Sequence, residues 1–238
     1  MSDNSEIKGL IFDYGGTLDS RGDHWSEIML DAYHSAGTAL GFDEFRPAYV
    51  ATERYLASHF VVSATDTFAD LMHKKASLQC GFLADAGLIS RRDAPRIASA
   101  IADYCYASAR ACTAEAAPVL DRLAGRYPMV LVSNFYGNID AVLRDMDLRS
   151  YFRGIVESAV IGIRKPDPRI FAVGCVVLDL PPTDVLVVGD SLSKDIRPAR
   201  SLGCSTAWIK GRQWRLDKDE NLLVEKSTTL EELAQTLL

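Results

Sequence analysis

Short apolar stretches rich in β-branched residues recur in the second half of the chain and predict the strands of a sheet. Four follow position 128: MVLVSN (129–134), GIVESAV (154–160), VLVVGD (185–190) and STAWIK (205–210). Segments with helical spacing separate them, namely NIDAVLRDM, RIFAVGCVVLD and DIRPARSLG. Strands that alternate with helices at this interval predict a parallel sheet built from βαβ units. The opening run IKGLIFDY has the same character, and we expect it to join the sheet as a strand covered on both faces.

Between residues 20 and 117 the pattern changes to long amphipathic segments, with apolar residues near i, i+3, i+4 and i+7. These segments are HWSEIMLDAYHSAGTAL, PAYVATERYLASHF, DTFADLMHKKASLQCGFL and APRIASAIADYCYASARAC. They predict a helical domain of residues 20–117 inserted into an α/β core of residues 1–19 and 118–238. The final stretch, STTLEELAQTLL, predicts a short helix that opens with a capping box. Thr228 or Thr229 would be its cap, with Glu231 or Glu232 as the acidic partner.

The composition narrows the class of protein. The chain has 238 residues, 48% of them hydrophobic, which suits one large globular domain or one domain with an insertion. A net charge of -6 argues against a nucleic-acid partner, because such proteins usually carry a basic stripe, but leaves small anionic substrates open. No apolar run approaches the roughly 18 residues of a membrane helix, and the first residues lack the features of a secretory signal. We therefore expect a cytoplasmic protein with no membrane partner; its oligomeric state, monomer or dimer, stays open.

The five cysteines change this picture little. They are odd in number, widely spaced and never form a CxxC pair, so neither a zinc cage nor a disulfide framework is indicated. Thiols in a reducing compartment are the expected state.

Three polar residues end predicted strands: Asp13, Ser133 and Asp190. In an open parallel sheet, ligands bind beyond the carboxyl ends of the strands. These residues, far apart in sequence, are therefore predicted to converge on one crevice.

The segment DYGGTLDS presents Asp13 to a turn of Gly15 and Gly16, which let a charged ligand approach the backbone, and Thr17 adds a hydroxyl donor. The functional interpretation of Asp13 is a carboxylate nucleophile or a metal ligand. The alternative is an aspartate that ends a strand and caps the next helix.

Asp190 and Asp195, five residues apart, could share one hard cation, and ligand sets of oxygen alone favour Mg²⁺. Asp195 could instead only complement the dipole of a helix N-terminus. Ser133 and Asn134 offer a hydroxyl and an amide to a phosphate-like oxygen, although such residues are also ordinary in turns. Lys165 precedes Pro166, which can fix a lysine pointing into a crevice, whereas a lone lysine is usually a solvated charge.

Together, these four segments resemble the haloacid dehalogenase superfamily of hydrolases, whose motifs they follow in order. The motifs are Asp-x-x-Gly-Thr at 13–17, the serine at 133, Lys-Pro at 165–166 and Gly-Asp-Ser with a second aspartate at 189–195. The resemblance covers the whole core and places the helical segment where the family has its cap domain. It implies an α/β fold with a Rossmann-like parallel sheet core and an inserted α-helical cap.

The resemblance also implies the roles of the site residues. Asp13 would attack phosphorus and form an aspartyl-phosphate that water hydrolyses. Mg²⁺ would be held by Asp13, the carbonyl of Gly15 and Asp190, with Asp195 supporting or ligating. The substrate-binding residues would be Gly16, Thr17, Ser133, Asn134 and Lys165, of which Ser133 and Lys165 would neutralise the transferring group. Phosphoryl transfer depends mainly on such positioning and charge neutralisation.

Gly15 departs from the family pattern, because phosphatases of the family usually carry there a second aspartate that acts as general acid and base. Catalysis of that kind contributes about 10²–10⁴-fold. The chain could still be a phosphohydrolase whose leaving group needs little protonation or which uses another acid. Asp19 is a candidate, although it could instead cap the first cap helix. His24 is a weaker candidate, expected on a helix surface.

A glycine at position 15 is also compatible with a different reaction or with none. Phosphonoacetaldehyde hydrolases lack the second aspartate and use a cap lysine that forms a Schiff base; Lys74 and Lys75 lie in the cap, but we expect both to be solvated. The 2-haloacid dehalogenases lack it too but work without metal, which fits the acidic pair poorly. A chain that only binds Mg²⁺ and a phosphorylated ligand is the non-enzyme alternative.

The favoured hypothesis is a Mg²⁺-dependent hydrolase of a small phosphorylated metabolite. Cap residues Trp25, Tyr33, His59 and His73 are expected to pack in the cap core more than to contact substrate.

Overall fold

A six-stranded sheet forms the centre of the chain in the computed structural model, which describes residues 6–212 and 227–238. In chain order, the strands are β1 (Gly9–Phe12), β2 (Met129–Ser133), β3 (Gly154–Glu157), β4 (Val185–Gly189), β5 (Ser205–Ile209) and β6 (Ser227–Thr228). They lie in the order β3-β2-β1-β4-β5-β6, and every neighbouring pair is parallel. The predicted parallel sheet of an α/β fold is confirmed.

Both faces of the sheet are covered, which explains why its strands are apolar at every position. Successive side chains of a strand point to opposite faces. Leu10 and Phe12 of β1 therefore pack into the larger hydrophobic cluster, which includes the helices inserted after β1, while Ile11 packs into a second cluster on the other face. Each side chain is fully buried.

The inserted segment after β1 consists of four helices, as predicted. They are α1 (Trp25–Ser35), α2 (Phe42–Ser58), α3 (Phe68–Asp85) and α4 (Ala94–Ala124). We call α1–α4 the cap helices.

Helix α4 is 31 residues long, runs without a break and packs against α1 and α3. Its buried residues recur every three or four positions, among them Ile97, Ile101, Cys105, Ala109, Cys112, Ala116, Leu120 and Leu123. The predicted boundary between residues 117 and 118 lies inside this helix. The division of the chain into cap and core domains at that point stays a prediction.

The remaining helices connect the strands and close the chain. They are α5 (Ile139–Asp145), α6 (Ser158–Ile161), α7 (Arg169–Leu178), α8 (Arg197–Ser201) and α9 (Leu230–Leu237). A single π-helical turn, Leu192–Ile196, leads into α8.

The capping box predicted for the last helix is present. Thr229 is the cap of α9, and its hydroxyl accepts from the Glu232 N–H at 3.2 Å. In return, Glu232 accepts from the Thr229 N–H at 2.8 Å. Arg122 of α4 and Glu231 of this helix form an exposed ion pair.

All five cysteines are buried and none is bridged. Among the described residues, none of the helices combines the length and the apolar character that crossing a bilayer requires.

Candidate active site

The carboxyl ends of the neighbouring strands β2, β1 and β4 bring together side chains that are distant in sequence. Ser133 is the last residue of β2, Asp13 directly follows β1, and Asp190 directly follows β4. The Ser133 hydroxyl donates to Asp13 Oδ1 at 2.9 Å. Carboxylate oxygens of Asp13, Asp190 and Asp195 all lie within 4.8 Å of one another. The structure therefore places these four predicted site residues in one cluster.

Lys165 joins this cluster from the loop after α6. Its Nζ lies 2.8 Å from Asp13 Oδ1 and donates to Asp195 Oδ1 at 2.7 Å. The loop is held by Asn134, whose side-chain amide donates to the Lys165 carbonyl at 3.1 Å and accepts from the Lys165 N–H at 2.9 Å. Asn134 thus positions Lys165, and its predicted contact with substrate stays a prediction.

Two glycines make the close packing of the acids possible. Gly16 has a φ of +97°, and a Cβ there would lie 2.4 Å from Asp190 Cγ. A Cβ at Gly189 would lie 2.5 Å from Asp195 Cβ. Real Cβ atoms do not approach so closely, so side chains at these positions would displace the carboxylates. Thr17 is fully buried and its hydroxyl donates to Asp190 Oδ1 at 3.4 Å; its predicted contact with substrate stays a prediction.

The cluster carries more negative than positive charge. Burial, reinforced by Asp195 and Asp13, raises the pKa of Asp190, and burial also raises the pKa of Asp195. Burial lowers the pKa of Lys165, but the carboxylates of Asp13 and Asp195 outweigh it and raise that pKa above its usual range. Three carboxylates around one ammonium group leave a formal surplus of about two negative charges when all are ionised.

This donor set fits a hard divalent cation. The candidate ligands are carboxylate oxygens of Asp13 and Asp190 at neighbouring strand ends and of Asp195 in the π-helical turn, with the backbone carbonyl of Gly15 as a fourth oxygen. Mg²⁺ prefers oxygen ligands, and one such ion would offset the surplus charge.

The cluster forms the floor of a cavity of about 590 Å³ that lies between the sheet and the cap helices. Five acidic and four basic side chains line it: Asp13, Asp19, Glu53, Asp190 and Asp195, with Lys75, Arg164, Lys165 and Lys194. Arg164 and Lys194 are exposed and form no ion pair within residues 6–212 and 227–238. The exposed part of the cavity lining therefore includes two positive charges, which favour an anionic ligand.

The sequence profile of a family of hydrolases, described as haloacid dehalogenase-like hydrolase, matches residues 7–203. The chain belongs to this family. It is 33% identical over 79 residues to a glyceraldehyde 3-phosphate phosphatase of Pyrococcus furiosus, an alignment that spans 33% of this chain and only 32% of that relative.

Solved structures of haloacid dehalogenase-like proteins show the same fold over almost the whole chain. One is a hydrolase of Bacillus subtilis described as bound to magnesium, with a TM-score of 0.59 and 17% identity over 98% of this chain and 99% of that one. Another is a dehalogenase described with an intermediate complex, with a TM-score of 0.64 and 17% identity over 98% of both chains. At this identity the two structures establish the fold alone, including its inserted helices.

At Gly15, where phosphatases of the haloacid dehalogenase family carry their second aspartate, another carboxyl group lies close by. A Cβ built on Gly15 would have Asp19 Oδ2 as its nearest neighbour, at 4.0 Å. Asp19 is fully buried; its Oδ1 accepts from the Gly16 N–H at 2.8 Å and its Oδ2 from Trp25 Nε1 at 3.0 Å. Burial raises the pKa of Asp19 to about 7, against the opposing effect of these two hydrogen bonds. Asp19 thus places a carboxyl group with a pKa of about 7 next to the position that a side chain at residue 15 would occupy.

Asp19 does not cap the first cap helix, so that alternative was wrong. The cap of α1 is His24, whose Nδ1 accepts from the Ser26 N–H at 3.1 Å. The expectation that His24 lies on a helix surface was also wrong, because it lines the cavity. Burial, and then the charge of Lys194, lower the pKa of His24 to about 3, so its ring is neutral.

The expectation that Lys75 is solvated was wrong as well. Lys75 is only 4% exposed, lines the cavity and forms an ion pair with Glu53 of α2. Its neighbour Lys74 is partly exposed, pairs with Asp66 and does not line the cavity.

The four cap residues named from the sequence divide into two pairs. Trp25 and His59 line the cavity, whereas Tyr33 is buried in the cap core and His73 lies on the outer surface of α3. Glu53 and Tyr136 also line the cavity, but the sequence patterns did not predict a role for either residue.

A signal for Lys75 was present in the sequence. Lys75 falls on the buried stripe of α3, four residues after Leu71 and four before Gln79, and a lysine at such a position requires a partner.

Proposed function

We propose that the chain is a Mg²⁺-dependent phosphohydrolase that acts in the cytoplasm on a small phosphorylated metabolite. One observation carries the proposal: a serine hydroxyl and a lysine ammonium both lie against Oδ1 of Asp13, in a cavity whose lining includes the exposed Arg164 and Lys194. The family to which the chain belongs, and a partial match to a relative named as a phosphatase, support the same reaction class.

Asp13 is the proposed nucleophile. Ser133 and Lys165 engage its Oδ1, which leaves Oδ2 to attack phosphorus in line with the leaving oxygen. The P–O bond of the substrate breaks as the bond to Asp13 forms, giving an aspartyl-phosphate. Mg²⁺, held by the acidic cluster, would neutralise charge on the phosphoryl oxygens and reduce repulsion between two anions. Lys165 supplies positive charge at the same point.

Asp19 is the proposed proton carrier in place of the missing aspartate. In its neutral form it gives its proton to the leaving alkoxide, and the carboxylate then takes a proton from the water that attacks the aspartyl-phosphate. That water releases phosphate and restores Asp13, so the protons balance over one turnover. A pKa of about 7 makes both forms of Asp19 accessible at neutral pH, as this dual role requires.

Cleavage of a carbon–phosphorus bond through a lysine Schiff base is the second candidate, because Lys75 lines the cavity. A Schiff base forms from the neutral amine. Burial lowers the pKa of Lys75, but the carboxylate of Glu53 outweighs it and raises that pKa above its usual range. The amine is therefore held in its charged, unreactive form. Borohydride trapping of a lysine adduct with a phosphonoaldehyde would favour this candidate over ester hydrolysis.

The remaining alternatives are separated by a product screen. A dehalogenase would release halide from 2-haloacids with no need for Mg²⁺, while a binding protein would retain phosphorylated ligands without turning over any of these substrates. We rank both below phosphohydrolase. The three buried acids of the cluster suit a cation-binding site better than they suit a site that works without metal.

The direct test is Asp13→Asn, assayed with an aryl phosphate in the presence of Mg²⁺. We expect turnover to fall by at least about a thousandfold, because an amide oxygen is a poor nucleophile toward phosphorus. The matched control is Asp121→Asn, an exposed aspartate on α4, which should keep full activity. Undiminished turnover by a correctly folded Asp13→Asn variant would refute the assignment.

A further inference from the structure

The cap wall of the cavity holds a partly buried ion pair that the proposed chemistry does not use. Lys75 on α3 forms the ion pair with Glu53 on α2, and we call these two residues the cap ion pair. Tyr136 completes it: its hydroxyl donates to Glu53 Oε2 at 2.7 Å and lies 3.4 Å from Lys75 Nζ. The ammonium group also lies 5.5 Å from the centroid of the Tyr49 ring. All four side chains line the cavity.

The two members of the pair differ in how they face the cavity. The Lys75 side chain is 6% exposed and the Glu53 side chain 32%, so the carboxylate is the more accessible member. Burial raises the pKa of Glu53, but Lys75 outweighs it and the net pKa is lowered, so the carboxylate is ionised at neutral pH. The cavity wall therefore presents an ionised acceptor whose charge is already balanced.

The cap ion pair and Asp13 line the same cavity. Tyr136 follows Ser133 by three residues, and three residues of extended chain span at most about 11 Å. One end of this loop therefore donates to Asp13 and the other to Glu53. A phosphate ester bound at Asp13 therefore shares its cavity with the cap ion pair.

Hydroxyl groups match the chemistry of the pair. A hydroxyl both donates and accepts hydrogen bonds, and the pair offers a carboxylate acceptor beside ammonium and phenol donors. A ligand ammonium would compete with Lys75 for Glu53, and a ligand carboxylate would be repelled by Glu53. The aromatic rings of Trp25, Tyr49 and Phe68 supply apolar wall for the C–H groups between hydroxyls.

We propose that the cap ion pair, with Tyr136, binds hydroxyl groups at the end of the substrate opposite the phosphate, so that the substrate is a polyol or sugar phosphate. This inference rests on the proposed function, since it assumes a phosphate at Asp13. Glu53 accepts from one hydroxyl, and the Lys75 ammonium or the Tyr136 hydroxyl donates to its neighbour.

The first experiment uses the unmodified protein with Mg²⁺ and compares glycerol 1-phosphate with propyl phosphate, which has the same carbon chain but no free hydroxyl. We expect kcat/KM to be at least about tenfold higher for the glycerol ester, because loss of the hydroxyls leaves polar groups of the site unpaired. Equal kcat/KM for the two esters overturns the inference. If neither these esters nor p-nitrophenyl phosphate is hydrolysed, the proposed function itself has failed.

The second experiment measures the same ratio of kcat/KM, glycerol ester over propyl ester, in Tyr136→Phe and Glu53→Gln. We expect it to fall at least about fivefold in each variant, mainly through KM of the glycerol ester. Tyr136→Phe keeps the ring and its packing, so it retains the test if Glu53→Gln does not fold. The matched control is Lys74→Met, which changes the adjacent lysine outside the cavity and should leave the ratio unaltered. A ratio that stays constant in folded Tyr136→Phe overturns the inference.

Discussion

The Asp19→Asn variant removes a titratable proton from beside Gly15 while it nearly preserves the size of the side chain. If Asp19 carries protons to the leaving group and from water, kcat for an alkyl phosphate should fall by about 10²–10⁴-fold. For p-nitrophenyl phosphate, whose leaving group needs little protonation, the fall should be much smaller. The contrast between these two substrates separates proton transfer from general damage to the site.

The pKa of Asp19 also predicts how kcat/KM for the alkyl ester depends on pH. Burial raises the pKa of Asp19 from 3.8 to about 7, which corresponds to about 4 kcal/mol between its protonation states. The first step needs the neutral form, so kcat/KM of the wild type for the alkyl ester should decline as pH rises above about 7. The variant should lose this decline.

The same shift predicts an effect on stability, measured by urea unfolding without Mg²⁺. Because the pKa of Asp19 is raised in the folded state, its protonation stabilises that state. This contribution to the free energy of unfolding is complete below pH 3.8 and is lost as the pH rises through about 7. Relative to Asp19→Asn, the wild type should therefore lose up to about 4 kcal/mol of unfolding free energy between pH 4 and pH 8.

Asp121→Asn serves as the control for an exposed acid in these experiments. The reasoning would be refuted if Asp19→Asn hydrolysed alkyl phosphates at the wild-type rate and with the wild-type pH profile. Asp19 would then only anchor the Gly16 N–H and the Trp25 ring.

Three further predictions concern the glycines and the metal. In urea titrations, Gly16→Ala should lower the free energy of unfolding by about 1–3 kcal/mol more than Gly37→Ala does. Both glycines have a positive φ, but only a Cβ at Gly16 would meet Asp190. An equal loss in the two variants would contradict this packing. Mg²⁺ at about a hundred times its Kd should raise the free energy of unfolding by about 2.7 kcal/mol. Asp190→Asn should largely remove this increase. If the increase persists in that variant, the ion binds elsewhere. Gly15→Asp, for which the structure leaves space, should raise turnover of alkyl phosphates little while Asp19 carries the proton, and a large gain would contradict that role of Asp19.

The fold was largely predictable because its signals are local. Runs such as VLVVGD are apolar at every position, and a strand covered on both faces requires this. The stripe of α4, with Ile97, Ile101 and Cys105, likewise repeats at helical spacing. That pattern does not say where one domain stops, since α4 continues past residue 117 to Ala124 without a change of period.

The placement of the site residues followed from topology. The carboxyl ends of parallel neighbouring strands share one edge of the sheet, so residues that end β1, β2 and β4 come together there. The sequence pattern locates Asp13 and Asp190 at those ends, although it cannot supply the distance between their oxygens.

The cap side of the site could not be predicted, because it depends on contacts between helices. Lys75 was expected to be solvated since lysines usually are, but its partner Glu53 lies on another helix, 22 residues earlier in the chain. His24 was misplaced for a related reason: histidine is not among the usual N-cap residues, so the start of α1 had no clear signal.

The central claim is that the Asp13 carboxylate attacks phosphorus, and a single-turnover reaction in H₂¹⁸O tests it most directly. Enzyme in excess over phosphate ester is allowed to complete one turnover with Mg²⁺, and mass spectrometry locates the heavy oxygen. We predict one ¹⁸O atom in the released phosphate and none in the peptide that contains Asp13, with a phosphorylated Asp13 peptide after an earlier acid quench. Phosphate release with no phosphorylated Asp13 at any quench time would contradict the claim, whereas ¹⁸O in the Asp13 carboxylate would show that water attacks the acyl carbon of the aspartyl-phosphate instead of phosphorus.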